Sequence, residues 1–176
     1  LTNQTDFHQF FVTVASKHGA TVGLGDAVTL GLRRRGFEVD VIAPDDVTDV
    51  TSYDVVVIGS AVYAGRWMRA AKDLVQRHCA ALRWRDVWLF SSGPLGNPPV
   101  PAQEPADAVA ALSASGARGH VLLAGALDPD ELRLTERLVV RAVKAPYGDF
   151  RDWTAVDRWV DEIAGVSPRS TVRQPS

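Results

Sequence analysis

Phe10-Phe11-Val12-Thr13-Val14-Ala15-Ser16-Lys17-His18-Gly19-Ala20-Thr21 is the stretch that decides how this chain is read. Its first six residues are apolar or β-branched and predict a strand. The next six place hydroxyls at both ends of a short loop that contains Gly19, and a helix is predicted from Thr21 onward. A helix start presents unpaired amides and the positive end of the peptide dipoles, so a strand–loop–helix of this kind suits an anion, phosphate above all.

Outward from that stretch, the same alternation continues. The helix over 21–35 ends in Arg33, Arg34 and Arg35 and is stopped by Gly36, as dipole and C-terminal glycine rules expect. A second strand covers 37–42. The third, over 54–59, contains Val55-Val56-Val57-Ile58, an unbroken run that predicts burial on both faces at the centre of a sheet. Helix 66–82, strand 86–90, helix 105–115 and strand 120–124 follow. An irregular insert with a helix over 131–144 precedes a terminal helix over 152–164. Strands alternating with helices argue for a doubly wound α/β sheet covered on both faces. With 176 residues, 46% of them hydrophobic, the expectation is one domain over 10–165, a flexible N-terminus over 1–9 and a disordered tail over 166–176.

In such sheets, ligands bind beyond the carboxyl ends of the strands. Three small, hydroxylated, glycine-bearing loops stand there: Ser16, Lys17, His18, Gly19, Ala20 and Thr21; then Ser60, Ala61, Val62, Tyr63, Ala64 and Gly65; then Ser91, Ser92, Gly93, Pro94, Leu95 and Gly96. They let backbone approach a planar ligand, and Tyr63 offers it a stacking surface. The bland alternative for Ser16 and Thr21 is helix capping with no ligand. Trp84 and Trp88 are expected to pack around the fourth strand, and Trp153 and Trp159 to anchor the last helix.

Several function classes fall away. A net charge of −2 with dispersed basic residues gives no footprint for nucleic acid. The single Cys79 excludes an internal disulfide, and the four histidines lack metal-ligand spacing, so no metal is expected. No run reaches the ~20 apolar residues of a spanning helix, and the polar start shows no export signal, so the expected compartment is the cytoplasm. Gly19, Gly23 and Gly25 imitate a dinucleotide fingerprint. The Tyr-x-x-x-Lys pair of short-chain dehydrogenases is missing, however: four residues after Tyr53, Tyr63 and Tyr147 stand Val57, Trp67 and Arg151. Gly23 and Gly25 are then read as sites of close helix packing.

The first loop satisfies Thr/Ser-x-x-Gly-x-Thr at Ser16, Gly19 and Thr21, and with it the chain resembles the flavodoxin-like family of FMN-binding proteins. Tyr53-Asp54 before the third strand, Ala124-Gly125-Ala126-Leu127 after the fifth, and Asp152-Trp153 at the last helix are most similar to the flavodoxin-domain group that includes menaquinone-dependent protoporphyrinogen oxidase. The resemblance spans about 11–164. It implies five parallel strands in the order 2-1-3-4-5, with the first loop on the FMN phosphate and the other two flanking the isoalloxazine. It also implies an oxidoreductase moving electrons between a reduced organic substrate and a quinone or other acceptor; the alternative is a non-enzymatic carrier between partner proteins. The second loop departs from the oxidase pattern, placing Tyr63-Ala64 where that enzyme has Arg-Tyr. Arg133, Arg137, Arg141 and Lys144 lie opposite Leu132, Leu138, Val139 and Val143 along the insert helix. In the resemblance, that basic face implies peripheral contact with the inner face of the membrane. The bland reading of the same face is a solvated surface.

Overall fold

The computed structural model describes residues 8–93, 104–142 and 144–166. The expectations for 1–7, for Pro94, Leu95 and Gly96, for Val143 and for 167–176 lie outside the described residues. Five strands, β1 (Gln9–Ala15), β2 (Glu38–Val41), β3 (Val55–Tyr63), β5 (Asp86–Ser92) and β6 (Gly119–Leu123), form one parallel sheet in the order β2-β1-β3-β5-β6. This is the expected 2-1-3-4-5 order. The short β4 (Arg66–Trp67) pairs antiparallel with the end of β3.

The alternation of β3 sends Val56 and Ile58 to one face and Val55 and Val57 to the other, all within 2% of full burial. On the first face they meet Phe11, Leu74 and Leu89 under α2 (Arg69–Leu82) and α3 (Ala106–Ser115). On the second they meet Phe10, Leu24, Phe90 and Trp159 under α1 (Ala20–Arg34) and α5 (Trp153–Gly165). Gly25 explains how closely α1 lies on the sheet: a Cβ there would sit 2.4 Å from Val14 Cγ2. Gly59 does the same inside the sheet, where the Phe90 ring occupies the space a side chain would need.

Five local expectations are corrected. β3 does not end at Gly59 but runs on to Tyr63, because Ser60 and Ala61 still pair with Ser91 and Ser92. It then reverses through Ala64 (φ 49°) and Gly65 (φ 73°), a turn with two positive φ values that matches strand twist. The residues at 66–67 are therefore strand, and α2 starts at Arg69 rather than 66. Trp84 does not pack; it is 61% exposed, whereas Trp88 and Trp159 meet edge to face. Trp153 is also exposed and stacks under the Arg151 guanidinium, 4.8 Å above its ring. In the insert, β7 (Ala126–Leu127) pairs antiparallel with β8 (Gly148–Asp149), and between them lie a 3-10 turn (Pro129–Glu131) and α4 (Leu134–Ala142). The helix starts later than expected, after a turn that Asp128 holds by accepting the Asp130 amide, and it ends before Lys144, whose φ of 52° is not helical.

Candidate functional site

Beyond the carboxyl ends of β1, β3, β5 and β6 lies a cavity of about 610 Å³, within the range of small-molecule and cofactor sites. Lys17, His18, Ala20 and Thr21 form one end; Ala61, Val62, Tyr63, Ala64 and Met68 form a wall; Ser92 and Gly93 form another. The insert closes the remaining side with Gly125, Ala126, Leu127, Asp128, Leu132, Thr135, Glu136, Val140 and Ala145. The walls are held close together: a Cβ on Gly93 would lie 3.0 Å from Val62 Cβ, and one on Gly125 would lie 3.2 Å from Ser92 Oγ.

At the cavity's polar end, α1 begins after Gly19 with no side-chain cap and no acid in its first turn. Ser16 does not cap it; its hydroxyl donates to the His18 carbonyl at 2.7 Å and tightens the loop. Thr21 is 3% exposed on the cavity wall. The first-turn amides are thus left for an anion, with Lys17 and His18 beside them. Lys17 Nζ pairs with Glu136 of α4, and His18 Nε2 lies 3.3 Å from the same carboxylate. That histidine contact is out of line, and Nε2 stays buried without a hydrogen bond. Lys17 first, then the Arg133 amide, holds the Glu136 carboxyl at a pKa of about 2, below its ordinary 4.5. The His18 ring also meets Tyr63 edge-on at 6.1 Å.

Of the sequence-predicted residues, Lys17, His18, Ala20, Thr21, Ala61, Val62, Tyr63, Ala64, Ser92 and Gly93 come together on this cavity. Others do not reach it. Ser60 is buried in the sheet, where its hydroxyl accepts the Met68 amide at 2.9 Å. Ser91 points to the opposite face of the sheet, accepting from Trp67 Nε1 at 2.7 Å and meeting His120 Nε2 at 2.7 Å. The other nitrogen of His120 meets Glu104. Burial of His120 pushes its pKa below 6.5, although the Glu104 contact opposes the shift. Ser16, Gly19 and Gly65 shape their turns without lining the cavity.

Sequence reasoning missed the wall made by the insert. Ala124-Gly125-Ala126-Leu127 was its one sequence signal, as part of the family resemblance rather than as a site.

The arrangement fits a phosphorylated planar ligand: an uncapped helix start and an unsatisfied imidazole edge at one end, and apolar backbone-lined walls with Tyr63 at the other. The Flavodoxin domain model matches residues 11–154. No curated protein matches the chain. A flavodoxin from the domain Archaea superposes with a TM-score of 0.61 at 12% identity, covering 89% of this chain and 96% of that one. The Streptococcus pneumonia TIGR4 flavodoxin gives 0.58 at 14% identity, over 89% and 98%. The rubredoxin oxygen:oxidoreductase of the anaerobe Desulfovibrio gigas gives 0.53 at 9% identity, over 90% of this chain and 37% of that one. At these identities the likeness to solved structures speaks for the fold, while the match over 11–154 assigns the family: the chain belongs to the flavodoxin-domain family.

Proposed function

We propose that this protein binds FMN in the cavity between the β3–β4 hairpin, the end of β5 and the insert, and works as an FMN-dependent oxidoreductase passing electrons from a reduced organic substrate to a quinone or other acceptor. The observation that carries the FMN reading is the uncapped start of α1, with Thr21, Lys17 and His18 around it, opening into a cavity whose other walls are largely apolar. In this reading the α1 amides, Thr21 and His18 hold the phosphate. Tyr63, Gly93 and Gly125, which line the rest of the cavity, would receive the ring system. When bound, FMN supplies hydride and single-electron chemistry; the protein supplies position, exclusion of water and local charge.

The insert supports the oxidoreductase reading, because it closes one side of the cavity, a wall that a minimal electron carrier does not need. The full-length likeness to flavodoxins supports the other reading, a carrier between partner proteins. The finer kinship with menaquinone-dependent protoporphyrinogen oxidase belongs to the first. So does peripheral membrane contact, supported by exposed Leu134 and Leu138 beside Arg137 and Arg141 on α4 and Lys144 just after it. Among the described residues, no helix is long and apolar enough to cross a membrane.

The test is a visible absorption spectrum of the purified protein before and after loading with FMN and removal of the excess. Flavin bands retained on the protein are expected, and a protein that stays colourless refutes the reading. Turnover with a soluble quinone and a reduced donor distinguishes the oxidoreductase from the carrier, which reduces only protein partners.

A further inference from the structure

Glu136 sits where a ligand phosphate would find its cations. One carboxylate oxygen pairs with Lys17 Nζ and the other lies 3.3 Å from His18 Nε2. The second oxygen also accepts the Arg133 amide at 2.9 Å, the reach-back of a capping box at the start of α4. Capping alone does not account for the contact with a loop 119 residues earlier in the chain. Nor is the contact a well-made one for the histidine, whose Nε2 remains buried and without a hydrogen bond. A phosphate at the uncapped start of α1 offers that imidazole an acceptor in the cavity they both line.

We propose that Glu136 is a specificity-determining residue: an internal anion that competes with the ligand's phosphate for Lys17 and His18, so that seating a phosphorylated ligand loosens α4 from the loop. This rests on the FMN reading above. Coupling of this kind is reciprocal, and whatever holds Glu136 on the loop weakens phosphate binding by the same factor.

Glu136→Gln isolates the charge, because the amide oxygen still caps α4. Binding of FMN and of riboflavin, which lacks the phosphate, is measured by flavin fluorescence in both proteins. The expected result is FMN bound about two- to fivefold more tightly by the variant, the range of an exposed charge pair, with riboflavin unchanged. FMN bound equally or more weakly overturns the proposal, as does riboflavin moving by the same factor as FMN. If the unaltered protein binds neither flavin, the FMN reading fails separately. A titration with inorganic phosphate, followed on the His18 imidazole resonances, then decides. A saturable response that is tighter in the variant supports the competition, and an equal or absent response in both proteins overturns it.

Discussion

Gly59→Ala tests the packing that carries β3 up to the cavity. The new methyl carbon would stand 2.1 Å from Phe90 Cζ and 2.2 Å from Cε1, where carbons in contact keep about 3.5–4.0 Å. The ring must retreat by more than an ångström, yet Phe90 is 0% exposed and held edge to face by Trp159 at 5.7 Å. Overpacking of this kind costs about 1–3 kcal/mol. Phe90→Ala alone opens a void beside Gly59 and costs about 3–5 kcal/mol. In the double variant the methyl enters the space the ring has left, so its cost should fall short of the two single costs combined by about 1–3 kcal/mol. Urea unfolding of the four proteins gives the cycle, provided the m-value is constant. Costs that add to within about 0.5 kcal/mol, or a Gly59→Ala protein as stable as its parent, would show that the ring does not fill that space.

Thr21→Val keeps the shape of a 3% exposed side chain and removes its hydroxyl, so FMN binding should weaken by about 1–3 kcal/mol. Fluorescence titration checks this, and an unchanged affinity moves the phosphate elsewhere. His120 has a folded pKa below its ordinary 6.5, so the unfolded chain takes up the proton first as pH falls. The stability that neutral His120 contributes is complete above pH 6.5 and is lost as pH falls from there toward its folded pKa; His120→Gln should lack this component in urea midpoints measured across that window. Leu134→Glu combined with Leu138→Glu, at positions 80% and 68% exposed, should leave the circular dichroism unchanged and abolish flotation with anionic vesicles. Flotation equal to that of the parent would remove α4 from any membrane contact.

The layout of the sheet was legible because its central strands are runs of apolar or β-branched residues, Phe10 to Val14 and Val55 to Ile58, a pattern that calls for burial on both faces. The cradle was legible for a local reason too, since Ser16, Gly19 and Thr21 lie within six residues. What escaped was non-local or depended on backbone conformation. Ala64 takes a positive φ that its side chain does not advertise, so the β3–β4 hairpin was read as loop and helix. Trp84 stands two residues past the end of α2 in a turn that the Arg85 amide closes onto the Leu82 carbonyl, and no spacing rule says which way such a turn sends its side chain. The insert joins the cavity through pairing of β7 with β8 and through Glu136 on Lys17. No spacing rule links positions so far apart.

The chain of contacts from Trp67 through Ser91 and His120 to Glu104 has a fixed polarity. The Glu104 carboxylate can only accept from His120 Nδ1, so the bare Nε2 of neutral His120 accepts from the Ser91 hydroxyl, whose lone pairs take the hydrogen of Trp67 Nε1. Neutral His120 then carries its hydrogen on Nδ1, aimed at Glu104, which is 47% exposed at the surface. Every hydrogen in the row points outward from a buried tryptophan in the hairpin that walls the cavity. Trp67 therefore stands at the buried end of a hydrogen-bonded row whose other end, at Glu104, meets solvent.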